Sequence, residues 1–429
     1  MNSELYQKLT APNGVTYNQP LGLFINNEWC RSKAEALISV VSPIDENEIV
    51  KVHAGGGEDI DDAVKAARVA LKGPWSHLSG TERGEMMRKL ADLVDAATNE
   101  LATIDTWNNG KRFSSAQGDV GELTGVLRYY AGFADKQYGQ GFPPGVINIV
   151  NGFGSKAGAA LAAHMDVDKI AFTGSTVTGR EVARLAASNL KDIKIESGGK
   201  SPLLIFEDAD LDQAVKWSHY GIMANQGQIC TATSRILVHE NVHQQFIELF
   251  KERVKSCKIG NPFESDTFQG PQVSKGQYER VLSFIESGKA EGATVALGGQ
   301  PTAVNGKGFF IEPTIFTNAS DNMNLYREEI FGPVAIISPF KTEDKAVRRA
   351  NDTIYGLSAA VFTQDITRAH VIANKIEARM VWINSSNDSD FRIPFGGVKQ
   401  SGIGRELGEE GIRAYMSRRS VHVNVGNVL

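Results

Sequence analysis

The chain has 429 residues, 41% of them hydrophobic and 22% charged, and its 45 basic and 50 acidic residues leave a net charge of −5. That length exceeds one ordinary hydrophobic core, so two or three domains are expected. The near-balanced charge excludes nucleic acid or an anionic membrane surface as the main partner, and no apolar run has the length needed to span a bilayer. The opening MNSELYQKLTAPNG lacks the apolar core of a secretory leader, so a cytoplasmic location is the expectation. Three widely spaced cysteines, Cys30, Cys230 and Cys257, fit a reducing compartment rather than a disulfide framework. Neither a CxxC pair nor an HExxH motif occurs, and no metal is expected.

In chain order, EDIDDAVKAARVALKG places Ile60, Ala63, Val64, Ala67 and Leu71 on one helical face and stops at Gly73. Ser79 and Glu82 have capping-box spacing ahead of a second helix running through Met86, Leu90, Leu93 and Val94. KIAFTGS, SPLLIFEDAD and SRILVHE read as strands, and helical patterns such as VHQQFIELFKERVKSC follow them. This alternation predicts an α/β architecture with mainly parallel sheets. The C-terminal SVHVNV alternates like an exposed strand, which has to be paired or blunted, so a subunit contact is expected there.

Three stretches carry residues suited to chemistry. In DKIAFTGSTVTGREVARLAAS a short strand runs into Thr173, Gly174, Ser175 and Thr176, and a helix follows. A strand, a glycine turn and a helix N-terminus together suit a phosphate, although an ordinary tight turn would use the same glycine. In IKIESGGKSP, Glu196 closes an apolar strand, where a partly buried carboxylate could act as a general base or simply pair with Lys200. In NQGQICTATSR, Cys230 follows a helical segment that Gly227 interrupts, among small and polar neighbours. A nucleophile and an inert buried thiol are both compatible with that setting.

The segments AFTGST, ESGGKSP, NQGQIC, YREEIFGPV and IPFGGVKQSGIGRE occur in this order, with Glu196 and Cys230 separated by 34 positions. On these motifs the chain resembles the NAD(P)-dependent aldehyde dehydrogenase superfamily, from FINNEW near the N-terminus to the C-terminal strand. The resemblance implies a Rossmann-type nucleotide domain with an α/β catalytic domain, divided as residues 1–198, 199–402 and a tail of 403–429. It implies that Cys230 is the nucleophile and Glu196 the base that activates water. Gly174, Ser175 and Ser197 would contact the cofactor, and Glu329 and Phe331 would hold the nicotinamide ribose. Asn384 would open the loop lining the substrate tunnel. The implied partner is a small-molecule aldehyde, the cofactor NAD or NADP with NAD favoured, and the assembly a homodimer or homotetramer.

Three departures from the family pattern stand out. Ser197 occupies a position that typically carries leucine. The loop SSNDSDFRIPFGG is unusually polar for a tunnel wall and hints at a polar or small aldehyde. The largest departure lies at Gln140–Gly141, where YYAGFADK is joined almost directly to GFPPGVINIVNG. In the family about two strand–helix units, on the order of 60 residues, normally intervene. The PWN motif and a VxKP strand are absent from the sequence, so one oxyanion-hole asparagine and one adenosine-binding lysine are expected to be missing. A damaged nucleotide domain with weak cofactor binding follows. Two other readings remain beside an active dehydrogenase: an inactive binding or regulatory relative, and a thiol hydrolase that uses Cys230 and Glu196 without a dinucleotide.

Overall fold

The computed structural model describes residues 3–133, 142–417 and 419–426. The Gln140–Gly141 junction lies outside the described residues. The larger sheet has seven strands in the order Thr294–Leu297, Thr314–Thr317, Val334–Phe340, Arg235–His239, Pro202–Ile205, Ser358–Phe362 and Met380–Ile383. All neighbours are parallel except the first pair. Pro202–Ile205 and Ser358–Phe362 are buried at every position, as central strands covered on both faces must be.

Successive side chains of these strands feed two separate cores. Leu203, Ile205, Ile236 and Val238 pack with Ile222, Met223, Phe246 and Phe250 from the helices Leu211–Met223 and Glu240–Lys255. Leu204, Leu237 and Val361 pack on the other face with Ala346, Ala350 and Ile372 from Glu343–Asn351 and Ile366–Lys375. Each such leucine or isoleucine contributes roughly 1.5–3 kcal/mol on leaving water, so this sheet is the rigid half of the molecule.

The second sheet is small. Lys169–Thr173 runs parallel to Asp192–Glu196, and Gly402–Ile403 returns antiparallel to the far edge of Asp192–Glu196. A residue pair from the expected boundary between catalytic domain and tail is thereby built into this smaller sheet. Ile147 and Ile149, in the segment following the junction, are 37% and 52% exposed.

The N-terminal helices form largely where the periodicity places them. Gly57–Lys72 buries Ile60, Ala63 and Val64, whereas Leu71 is half exposed. The capping box is realised: Glu82 accepts from the Ser79 N–H at 2.7 Å, and the Glu82 N–H donates to Ser79 Oγ at 3.3 Å. The helix Gly80–Ala96 that it starts buries Met86 but exposes Leu93. The tail differs from its expected form. Residues 419–426 make no strand within the chain, and Val421, Val423 and Val425 are solvent-exposed.

Two buried cations beside the large sheet fare differently. Arg235 donates to the carbonyls of Lys200, Arg349 and Ala350 at 2.8–2.9 Å and stacks on Tyr326. Lys200 is 1% exposed, and its Nζ makes no hydrogen bond. Burial, aided by the Arg235 charge, pushes its ammonium down to about 7. Below that value the folded chain carries an unpaired buried charge, while between about 7 and 10.5 the unfolded chain binds more protons than the folded one. The Lys200 contribution to stability therefore improves as pH rises through that window. Lys200→Met should raise Tm by several degrees at pH 6 and by clearly less at pH 9, measured by calorimetry; an equal or lower Tm at pH 6 would contradict the assignment.

Candidate active site

Glu196 closes the strand Asp192–Glu196, and its last three residues are buried. The strand ends there because Ser197–Lys200 crosses to the large sheet, with the Ser197 N–H bonded to the Ser401 carbonyl at 2.8 Å. The Glu196 carbonyl in turn accepts from the Gly174 N–H at 3.0 Å, so the FTGS turn is fastened to the backbone of the candidate base. Gly396, of IPFGG, lies against the Glu196 carboxylate: a Cβ there would stand 2.6 Å from Oε1.

Cys230 sits in a turn that the sequence places after a helix broken at Gly227. The helix ends earlier, at Met223, and Asn225, Gln226 and Gly227 take three successive positive φ values of 47°, 57° and 71°. Left-handed backbone costs non-glycine residues energy. Here side-chain amides hold it. Asn225 Nδ2 donates to the Gln228 carbonyl at 3.0 Å, and Gln226 Nε2 donates to the carbonyls of Gly110 and Pro271 at 3.1 and 3.0 Å. Gln272 Nε2 reaches the Gln226 carbonyl, and Gln228 Oε1 accepts from the Val273 N–H. At Gly227 there is a steric reason as well, since a Cβ would stand 2.1 Å from the Gly332 carbonyl oxygen.

Gly332 belongs to EEIFGPV, so this contact joins the nucleophile turn to the predicted ribose clamp. Glu329 Oε1 accepts from the Gly199 N–H at 3.0 Å, and its carboxylate lies so close to Gly198 that a Cβ there would stand 1.9 Å away. Phe331 is held at φ 60° with its carbonyl accepting from Gln277 Nε2 at 2.7 Å. The ESGGK, NQGQIC, EEIFGP and IPFGG segments thus meet around one buried volume, and FTGS borders it. Gly174 and Ser175 are exposed on that border, with Ser175 Oγ capping the helix Thr176–Ala186 through the Thr178 N–H.

Two expected residues point elsewhere. The Ser197 side chain is buried beneath the helix Thr176–Ala186, packed toward Gly179. Asn384, at φ 57°, accepts from the Thr363 N–H and donates to the Thr363 carbonyl, so its side chain anchors the start of the loop that follows it.

The electrostatics are those of a dry site. Burial raises the Glu196 carboxyl above its ordinary range against the opposing pull of Lys194, and burial likewise raises Glu329. Burial, then the charges of Glu329 and Glu196, push the Cys230 thiol up to about 11. The alternative of a Glu196–Lys200 pair is not what forms: the lysine at Glu196 is Lys194, 3.3 Å from Oε1. Sequence reading passed over Lys194, although a lysine two places before Glu196 in an otherwise apolar strand shares its face and was a usable signal. Among the described residues no cluster of His, Cys, Asp and Glu has the arrangement of a metal site.

The profile of the Aldehyde dehydrogenase family matches residues 29–141 and 139–421, in two pieces that meet at the junction. An aldehyde dehydrogenase of Emericella nidulans is 41% identical over 497 positions, with 100% of this chain and 99% of that protein covered. One of Saccharomyces cerevisiae, named for NAD(P)+, is 40% identical over 499 positions covering 98% and 99%. Both alignments are longer than the 429 residues of the chain by about 70 positions, which is the size of the missing block. The solved structure of a Bacillus cereus aldehyde dehydrogenase in complex with NAD+ superposes with a TM-score of 0.92 at 38% identity, covering 95% of this chain and 97% of that one.

A thiol at about 11 is almost wholly protonated at neutral pH, so its alkylation should quicken about tenfold per pH unit from pH 7 to 9 without levelling. Iodoacetamide labelling of Cys230, followed by peptide mass spectrometry, checks this. Glu329→Gln removes the larger of the two nearby charges and should speed labelling severalfold at pH 8; a plateau near pH 8 in the unaltered chain would show a thiol already ionised.

Proposed function

Because the chain belongs to the aldehyde dehydrogenase family, we propose that it oxidises a small-molecule aldehyde to the carboxylic acid with NAD or NADP, NAD being favoured. The observation that carries this reading is the convergence of the segments of Glu196, Cys230 and Glu329 around Gly198 and Gly199, with Glu196 buried and the other two half-buried.

Cys230 acts first. Its thiolate adds to the aldehyde carbon, and the carbonyl oxygen becomes an oxyanion that the Cys230 backbone N–H can stabilise. A bound nicotinamide would supply the hydride acceptor here, and Cys230 would then hold the acyl group as a thioester on its sulfur. Glu196 then removes a proton from water as the water attacks the thioester carbon, and the acid departs as the sulfur is released. The raised carboxyl of Glu196 suits it to accept that proton near neutral pH.

The residues present fit one end of the cofactor. Thr173–Thr176 leads into an eleven-residue helix whose N-terminus suits a diphosphate, and the Glu329 carboxylate beside Gly198 suits a ribose. The adenosine end corresponds to the block the chain lacks, so the cofactor loses contacts there. The polar loop after Asn384 supports a small or polar aldehyde. We assign residues 1–198, 199–402 and 403–429 to nucleotide, catalytic and tail units. A cytoplasmic homodimer or homotetramer pairing the tail is the accompanying reading, supported by the three exposed valines.

The test is NAD(P)H formation by the purified chain over a panel of aldehydes, with Cys230→Ala as control. Loss of one oxyanion donor predicts a kcat about 10²–10³ below that of a full-length relative. Calorimetry should give a Kd for NAD at least about tenfold weaker than that relative's, for want of adenosine contacts. Cys230-dependent cleavage of p-nitrophenyl acetate without any NAD(P)H would favour a thiol hydrolase, and neither activity would favour a non-catalytic protein.

A further inference from the structure

Lys194 is the residue at this site that no part of the reaction above uses. It is 2% exposed, and its stem lies under Gly404, where a Cβ would stand 3.0 Å from Cγ. Its Nζ lies 3.3 Å from Glu196 Oε1 and also contacts Glu406 Oε1. Lys194 is the nearest charged partner of the carboxylate, and the Gly397 N–H also faces it. Glu406 is different in kind: it is 41% exposed and opens the arrangement to solvent.

We propose that Lys194 is the positioning residue for Glu196, keeping the carboxylate ionised and turned along its own strand, with Glu406 as an outer anchor that shares the lysine. The inference rests on the reading of Glu196 as the base. Its physical ground is the cost of a lone buried charge. A carboxylate left without its cation in a dry site protonates rather than remaining charged. A second carboxylate on the same ammonium repels the first and so offsets part of the stabilisation that the ammonium gives it.

The other groups facing the pair come from several elements. Arg405 adds positive charge near Glu196, Lys169 on the adjoining strand faces Lys194, and Cys230 lies across the site with Glu329 behind it. None of them can take the place of Lys194. Arg405 Nη1 is committed to the carbonyls of Gly397 and Gly404, and Lys169 Nζ to the Ala414 carbonyl. The arrangement makes a prediction with two signs. Removing Lys194 should raise the Glu196 midpoint, whereas removing the charge of Glu406 should lower it, because the lysine is then left to Glu196 alone.

The experiment titrates the full chain labelled with [13Cδ]glutamate and assigns the Glu196 resonance by its loss in Glu196→Gln. Lys194→Met should raise the midpoint by about one unit or more, a tenfold change in proton affinity. Lys194→Arg should leave it within a few tenths, and Glu406→Gln, a change at the surface, should lower it. An unmoved midpoint in Lys194→Met overturns the proposal. Should that variant fail to fold, an unmoved or raised midpoint in Glu406→Gln overturns it instead. The acid limb of p-nitrophenyl acetate hydrolysis should move in the same directions. If Glu196→Gln hydrolyses the ester as well as the unaltered chain, the base assignment fails, and the NMR titration still decides the role of Lys194.

Discussion

Close approach of backbone to backbone, permitted where Cβ is absent, is the constraint on which this site depends. Gly227 lets the nucleophile turn lie on Gly332, and Gly198 lets the Glu329 carboxylate lie on the crossing segment beside Glu196. A methyl group at Gly227 would force apart backbone segments more than a hundred residues apart in the chain, and one at Gly198 would displace the Glu329 carboxylate. Side-chain amides complete the fastening. Gln226 and Gln272 bond to carbonyls that would otherwise be buried without donors, and in doing so hold a run of left-handed residues that would relax if free.

That local origin explains how a chain whose relatives align over about 70 more positions still brings Glu196, Cys230 and Glu329 together. The seven-stranded sheet draws all its strands from residues after 200, and so do its core clusters among the described residues. The small sheet has no such independence. It consists of two parallel strands extended by Gly402–Ile403, and apolar residues just past the junction face solvent. The candidate site therefore draws on both sheets: Cys230 and Glu329 lie on segments of the larger one, whereas Glu196 closes a strand of the small one.

The charge pattern of the centre has its own logic. Burial opposes the ionisation of Glu196 and Glu329, and one buried lysine reaches both Glu196 and the more exposed Glu406. Burial first, and then the negative charge of Glu329 and Glu196, opposes the ionisation of Cys230. A buried Arg235 saturated by three carbonyls and a buried Lys200 with none lie next to this region. The contrast follows from geometry: a guanidinium fork can satisfy several carbonyls at once, whereas an ammonium on a flexible stem needs acceptors gathered around a point.

Much of this was legible in the amino-acid order, because it rests on short-range rules. Apolar runs such as PLLI and RILVH are strands because a fully buried parallel strand has no polar face to show, and Ser79 with Glu82 starts a helix because each satisfies the other's free N–H. Motif order alone identified the family, the candidate nucleophile and base, and the junction. What the order of residues could not contain was contact across the fold. The helix before Cys230 ends at Met223 rather than at Gly227 because carbonyls of Gly110 and Pro271 lie within reach of Gln226. Leu71 and Leu93 match a helical face yet stay exposed, since no partner within the described residues covers them. Ser197 turns under a helix, Asn384 is bound to Thr363, and Glu196 pairs with Lys194 rather than Lys200. Local periodicity and capping are properties of neighbours in sequence, so the sequence by itself determined the elements and the reactive residues. The partners of those residues, and hence their charge states, were decided only by tertiary structure, because burial and Coulomb interaction depend on distance in space.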